Sequence, residues 1–564
     1  MWLFMLLCTL LYTVTRFTGL EYLSLYFGNA YQVIHPESFP IDRYMPPFRA
    51  TLLSLYYIIV RLVGDLWLDD RFTIAIYGGL VFLAVVALDK TARLFGADRP
   101  AARVAIISLM LLIGSGFTRG QFVSGLEFNP TTMAGPVVYW LFYLVLAGKS
   151  PALIFVVMAL LASISIKNAW LPILIGLAVL FKDRLTTRAK WRVGATVVGL
   201  MGVALGFYYL VVRPQNPNQV ALFDFILVEM EGPEANPFWN PWWRNLLFVI
   251  VCAGAWWIRL PSVVVEQRVK TTAVVAAAVW LLGGLYLSYT PDMLKIPYVI
   301  PFDVDRALCW PQYVLLVILA ASALRRLDTA SSWRGVGVCL AVLLAIYLIP
   351  FHVKQASIVG VLLVLMWLWR YVCERRWAID PSWRLRIISA ALGATTLSTL
   401  VSWTIHRWPA LQFMAQHGIM GDNPGAKWVG INEYFRENTP LDSTVLALTM
   451  RDYPWRPERL RAEVSLRTRT GRSMFFGSRV VFVFDYPSIM WSIHDREPHH
   501  DPLIDAWERH DASGVTASLN AIGAPDYLVV PTMKAEWLHD RPSFSYRVET
   551  VIGEFTILRK AISS

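Results

Sequence analysis

The chain has 564 residues, of which 56% are hydrophobic and only 16% charged, whereas a soluble globular chain carries about a quarter charged residues. With a mean hydropathy of +0.48, this composition excludes an ordinary soluble domain. The formal charge of +11 does not argue for nucleic acid, because the basic residues sit in short loops between apolar runs, where the positive-inside rule explains them.

The first segment, MWLFMLLCTLLYTVT, has no basic leader and no small-residue cleavage site, so it reads as a retained first helix. A polar stretch follows, from Arg16 to Asp70, with Glu21, Asp42, Arg43 and Arg49 close to the membrane surface. Within it, residues 50–64 are apolar but interrupted by Arg61 and preceded by Pro46-Pro47. That pattern predicts a helix lying along the surface. Further apolar runs fall at 72–92, 103–118, 132–147, 151–166, 169–181, 193–213, 245–258, 271–289, 307–324, 335–351, 356–372 and 385–404. Together with 2–16 they predict an α-helical polytopic membrane protein with about 13 spanning helices, several of them short against the roughly 20 residues that cross a hydrocarbon core of about 30 Å.

Loop charge sets the expected orientation. One side carries Arg93 and Arg99, then Lys182, Arg184, Arg188, Lys190 and Arg192, then Arg325, Arg326 and Arg334, then Arg370, Arg375, Arg376, Arg384 and Arg386. This puts the N-terminus inside and the tail outside. Five cysteines, Cys8, Cys252, Cys309, Cys339 and Cys373, lie in or beside apolar segments with no disulfide or zinc spacing.

The composition changes near His406. KWVGINEYFRENTP reads as an amphipathic helix ended at Asn438-Thr439-Pro440. STVLALT, RVVFVF and DYLVVP read as buried strands, and YRVETVIGEFTILRK as a hairpin around Gly553. The expected organisation is a transmembrane domain over 1–405, with an outer loop at 17–70, and a soluble extracytoplasmic α/β domain over 406–564.

The spanning segments are nearly bare of charge, unlike those of secondary transporters, which keep ionisable residues near the midplane. Acidic residues collect instead in the outer loops: Glu21, Asp42, Glu127, Asp224, Glu229, Glu231, Glu234, Asp292, Asp303 and Asp305. A site at the outer mouth fits that pattern. In the tail, His494, Asp495, His499, His500 and Asp501 are of metal-binding types, but their spacing matches no zinc site. The aromatic cluster NPFWNPWWRN reads as an interfacial belt, with sugar stacking by Trp239, Trp242 or Trp243 as the alternative.

The order of parts, GLEYLSLYFGNA followed by PPFRATLLSLYYIIVRLVGDLWLDDRFTIAIYGGLVFLAVVALDKTARLFG, resembles the GT-C superfamily of integral-membrane glycosyltransferases. Its members include the protein O-mannosyltransferases and the bacterial aminoarabinose transferase that modifies lipid A. The resemblance covers about the first 180 residues best, and the tail opening at W-x-x-x-x-x-Y-F-R-E-N-T-P is similar to that of bacterial members. The paired acids of several families are absent, and Glu21 stands without an adjacent acid.

The resemblance implies a sugar carried on a polyprenyl phosphate and a glycan, lipid or protein acceptor, in a bacterial inner membrane. It implies Glu21 or Asp42 as the base that takes the acceptor proton. It implies Arg306 (in FDVDRALCWPQ) and Lys167 (in ISIKNAW), with Arg43 and Arg49, as phosphate contacts. Glu127, in GLEFNPTT, stands where the family often places a second acid. A divalent cation, Mg2+ or Mn2+, between Glu21 or Asp42 and Glu127 is left open, since oxygen ligands suit these ions. Two other readings stay open: a non-enzymatic lipid-linked glycan flippase or scaffold, and a polymerase or ligase using a diphosphate-linked donor. On the residues alone, Arg306 pairs equally well with Asp303 or Asp305, Asp42 can cap a helix or pair with Arg43 or Arg49, and Lys167 can snorkel to the headgroups.

Overall fold

The computed structural model describes residues 1–17, 25–38, 54–112, 130–184, 187–215, 219–225, 227, 236–240, 242–260, 262–329, 381–421, 426, 428–448, 470, 472–474, 502–535, 537 and 544–561. Its main helices are α1 (Trp2–Arg16), α2 (Leu25–Ile34), α3 (Leu55–Val63), α4 (Asp70–Leu94), α5 (Pro100–Leu112), α6 (Pro130–Ala147), α7 (Pro151–Ile164), α8 (Ile166–Arg184), α9 (Thr187–Phe207), α10 (Trp242–Trp257), α11 (Val263–Tyr289), α12 (Val304–Thr329), α13 (Pro381–His406), α14 (Trp408–His417), α15 (Val429–Asn438) and α16 (Ala512–Ile522). Five strands follow α14: β1 (Thr444–Ala447), β2 (Ser473–Met474), β3 (Tyr527–Pro531), β4 (Tyr546–Ile552) and β5 (Phe555–Lys560). The chain divides into two compact units.

The first unit comprises Met1–Thr15, Tyr77–Ser124 and Pro130–Ile405. Among the described residues, six helices are long and apolar enough to cross a membrane, and four shorter apolar ones accompany them, so the chain is a multi-pass membrane protein. The count of about 13 is not reached on these criteria. Residues 335–351, 356–372 and 113–118 lie outside the described residues, and every other apolar run read from the sequence falls on a helix.

The bundle is built around α12. Of its apolar window 94% is buried, against 6% for Gly194–Val211 at the end of α9. An apolar helix exposed in this way has lipid as its natural neighbour. α12 packs against α5, α6, α8, α10 and α11. Small residues admit these approaches: a Cβ on Gly135 would lie 3.4 Å from Trp310, and one on Gly254 3.4 Å from Leu319. Helix starts follow local chemistry. Ser150 caps α7 with Pro151 at its first turn, and Ser262 caps α11.

One end of this bundle is stapled by ion pairs. Arg103 Nε donates to Asp89 at 2.5 Å while Arg93 lies 3.0 Å from the same carboxylate. Arg268 donates to Asp183 at 2.6 Å and to the Leu146 carbonyl at 3.0 Å. Glu266 accepts from Lys270 at 2.5 Å and from the Leu260 amide at 3.0 Å.

The second unit comprises Arg16–Ile76, Gly125–Asn129 and His406–Ser564. Here α2, which the sequence reading left as polar loop, packs against α3. His35 lies 2.9 Å from Asp65, just after α3. The helix predicted over 50–64 is described only as α3, followed by a 3-10 turn at Gly64–Leu68. Its Tyr56, Tyr57 and Val60 are buried while Ile58, Leu62 and Leu66 are exposed. Asp70, fully buried, accepts from the Met420 amide at 2.8 Å, and its own amide donates to Gly418. Gly418, at φ +70, ends α14 in the left-handed conformation that glycine adopts without penalty.

The five strands form one mixed sheet in the order β2-β1-β3-β5-β4. β1 pairs in parallel with β2 and β3, and β5 pairs antiparallel with β3 and β4. Alternation along the strands splits the core in two. Leu446, Leu528, Val530 and Leu558 face one cluster with Leu519 and Trp507. Val445, Val529 and Ile557 face the other with Trp428, Ile431 and Phe435. The β4–β5 hairpin turns at Gly553, φ +57. RVVFVF and the 494–501 histidine stretch lie outside the described residues.

Arg472 closes the C-terminus of α15. Its guanidinium donates to the carbonyls of Phe435 (3.0 Å) and Thr439 (2.5 Å), to the Thr439 hydroxyl (3.2 Å) and to the Thr470 carbonyl. Burial pushes its pKa down, and the nearby Tyr31 and Asp442 partly offset this. Arg472→Met leaves these carbonyls without a donor, so the C-terminal unit is expected to lose about 3 kcal/mol. Urea unfolding of the full chain reads the loss as a lower midpoint.

Candidate functional site

The site lies where the first turns of α8 and α12 meet. α8 begins one residue after Ser165, and Lys167 occupies its first turn. α12 is preceded by the 3-10 segment Pro297–Phe302 and by Asp303. Asp303 has φ 44 and ψ 71, a left-handed conformation, and its carbonyl accepts the first helical bond from Ala307 at 2.9 Å. Aspartate is one of the few non-glycine residues that adopt this conformation readily.

The Asp303 carboxylate is 1% exposed and is shared by two cations. Lys167 Nζ stands 2.5 Å from Oδ2, and Arg306 Nη1 stands 3.5 Å from the same oxygen. The lysine is 17% exposed and the arginine 37%. The lysine is thus the closer and the more buried of the two cations. Trp170 donates from its indole to the Phe302 carbonyl at 3.0 Å. Asn168 donates to the hydroxyls of Thr131 at 3.0 Å and Ser165 at 2.8 Å. The start of α6 thus joins the same rim, and Asp305, also buried, follows in the first turn of α12.

Prolines follow at one spacing. Pro136, Pro172 and Pro311 lie inside α6, α8 and α12. Each stands five residues after a rim residue: Thr131, Lys167 and Arg306. Proline has no N–H, so the carbonyls of Thr132, Asn168 and Ala307 lose their usual helical partner.

The approach to Asp303 is pinned on its other side. Lys295 lies 2.9 Å from Asp224 and 3.0 Å from Asp292. Hydrogen bonding to Asp224, with Asp292 adding to it, outweighs burial and holds its ammonium above the usual lysine pKa. The Tyr286 hydroxyl donates to the Leu294 carbonyl at 3.0 Å and that of Tyr209 to Met293 at 2.9 Å.

Of the residues singled out from sequence, Lys167 and Arg306 come together on Asp303. Glu21, Asp42, Arg43, Arg49 and Glu127 lie outside the described residues, so the carboxylates considered for a divalent cation do too. Among the described residues no group of three His, Cys, Asp or Glu is placed to hold a metal ion. Trp239 is 41% and Trp242 76% exposed. Their neighbour Phe238 packs on Trp280 at 5.2 Å. The Trp243 side chain lies outside the described set. Sequence reasoning offered Asp303 only as a local partner of Arg306. The meeting with Lys167, 136 positions away along the chain, carries no local signal. In the second unit a cavity of about 410 Å3 is lined by Asp442, Ser443, Asp526, Tyr527, Arg559 and Lys560, among others.

No family model matches the sequence, and no curated protein does. Among solved structures, the chain is similar to ArnT from Cupriavidus metallidurans bound to undecaprenyl phosphate, at 14% identity and TM-score 0.48, covering 100% of this chain and 98% of that one. It is also similar to the apo state of that protein, at 14% identity and TM-score 0.45, covering 99% and 97%.

Removing one partner of a buried ion pair leaves an uncompensated charge. Lys167→Met is therefore expected to destabilise the fold by about 3 kcal/mol, seen as earlier thermal melting in detergent. Arg306→Gln, at the more exposed and longer contact, is expected to cost less than Lys167→Met in the same melting experiment.

Proposed function

We propose that this protein is a membrane glycosyltransferase. It takes a sugar from a polyprenyl-phosphate donor at the outer mouth of the bundle and attaches it to a glycan, lipid or protein acceptor. The observation that carries the reading is the convergence of Lys167 and Arg306 at one end of an apolar bundle. Two cations at that position suit a lipid-borne phosphate, and the exposed Arg306 is the one able to reach it.

The chemistry requires two kinds of group. The acceptor hydroxyl attacks the anomeric carbon while the bond from that carbon to the phosphate oxygen breaks. The bridging oxygen leaves with the electron pair, and the cations offset its developing charge. The hydroxyl proton passes to a carboxylate, for which Glu21 and Asp42 are the candidates. Arg43 and Arg49 are further phosphate contacts in this reading, and Glu127 a second acid of the site. No metal is needed for the bond changes written here, and a divalent cation remains an addition to be tested by chelation.

In this reading the N-terminus faces the cytoplasm of a bacterial cell and the tail lies outside the inner membrane. The distribution of Lys and Arg supports that orientation.

The test is transfer from a synthetic polyprenyl-phosphate sugar by the full-length protein in lipid nanodiscs. Glu21→Gln and Asp42→Asn are made singly and together. The double variant is expected to lose activity by about 100-fold or more. Transfer that survives both changes would sink the assignment of the base. Headgroup translocation in vesicles without any transfer would replace the enzyme reading by a flippase.

A further inference from the structure

The stapled end of the bundle holds a basic cluster that its ion pairs do not neutralise. Asp89 is 3% exposed, and Arg103 grips both of its oxygens, through Nε at 2.5 Å and Nη2 at 2.8 Å. Arg93 joins the same carboxylate at 3.0 Å and is 45% exposed. Lys90, the residue after Asp89, is exposed, and among the described residues it forms no ion pair. Its ammonium lies instead over two rings of α6, 5.9 Å from the centroids of both Trp140 and Tyr143, near the outer limit of cation–π attraction. The two rings meet edge to face at 5.7 Å. Other lysines at this end differ: Lys270 lies on Glu266, and Lys182 donates to Gln267 and Thr271.

Three cations on one covered carboxylate leave two positive charges at the seam between α4 and α6. The rest of the local sequence does not cancel them: α6 and the turn after it add Lys149 and no acid, and Asp98, in the loop after α4, is followed by Arg99. Lys90 and Arg93, three residues apart, occupy neighbouring positions on α4. Val86 and Leu83, four and seven residues before Lys90, continue its face of the helix. Val86 is half-buried and Leu83 is 48% exposed. On α6, Val137 is half-buried three residues before Trp140. An apolar track thus leads past an aromatic pair to a cationic end, in the order in which a phospholipid presents its chain, interface and headgroup.

We propose that the seam between α4 and α6 binds an anionic phospholipid from the leaflet at this end. Its phosphate lies between Lys90 and Arg93, and an acyl chain follows Leu83, Val86 and Val137. A zwitterionic lipid fits less well. Its headgroup ammonium would meet the two cations, and Asp89, the acid of the cluster, is buried and already engaged.

The full-length protein in detergent is titrated with phosphatidylglycerol and with phosphatidylethanolamine of matched acyl chains, and bound lipid is counted by native mass spectrometry. The wild type is expected to bind phosphatidylglycerol about tenfold more tightly. Lys90→Gln is expected to lose about fivefold of that preference, and Lys90→Arg to keep it. Arg188→Gln removes an exposed positive charge from the start of α9 and is expected to leave the preference unchanged. Arg93→Gln leaves Asp89 paired with Arg103 and is expected to lose about fivefold as well; it decides the question if Lys90→Gln fails to fold. A wild type that binds both lipids equally overturns the site. So does a loss in Lys90→Gln, or in Arg93→Gln where that variant decides, no larger than in Arg188→Gln, since diffuse surface charge would then account for the preference. No transfer assay enters these readings, so the glycosyltransferase reading is untouched by either result.

Discussion

A carboxylate buried at the end of the central helix must be matched by a cation, and much of the first unit's mouth follows from meeting that requirement. An unpaired Asp303 would cost several kcal/mol in desolvation. Lys167 supplies the match, and to do so the first turn of α8 must lie against the first turn of α12. Trp170 on the Phe302 carbonyl and Asn168 on Thr131 then extend the contact to the preceding loop and to α6. The aromatic packing beneath, Trp310 against Tyr139 at 5.8 Å and over Gly135, keeps α12 and α6 close enough for the rim to close.

The two ends of the bundle use charge differently. At the stapled end, Asp89, Asp183 and Glu266 each meet guanidinium, ammonium or backbone donors at 2.5–3.0 Å, across helix ends and loops. Those pairs satisfy one another and fix the connections. At the mouth, one acid is shared by two bases, and the outer base is at longer range and partly in solvent. The mouth is the end away from the excess of loop Lys and Arg.

Much of this architecture is legible in the residues. Apolar runs longer than the local loops mark the helices, a short continuous apolar run marks DYLVVP as β3, and the turn at Gly553 marks YRVETVIGEFTILRK as the β4–β5 hairpin. The helix in KWVGINEYFRENTP is α15, ending where Asn438-Thr439-Pro440 requires. The missed α2 is a short helix whose Asn29 and Gln32 break the apolar pattern, and its support comes from α3, not from its own sequence. The mouth is half legible. Basic residues at two helix starts are visible as such, and Asp303 is visible beside Arg306. What joins Lys167 to them is helix packing between residues far apart in the chain, which periodicity in one sequence does not encode. Nor does it encode the carbonyl cage around Arg472, where a side chain far along the chain completes the end of α15.

The three prolines beneath the rim have a consequence for how such a mouth can change over evolutionary time. Below each proline the helical ladder is continuous and the bundle is held by it. Above it, the turn bearing Thr131, Lys167 or Arg306 is attached by fewer backbone bonds and takes its shape mainly from side-chain contacts. Substitutions at the exposed rim positions can therefore remodel the opening while the scaffold below the break keeps its register. A lineage built on this bundle can vary the more exposed positions of its entrance, though not the buried Lys167–Asp303 pair, without renegotiating the stability of the whole.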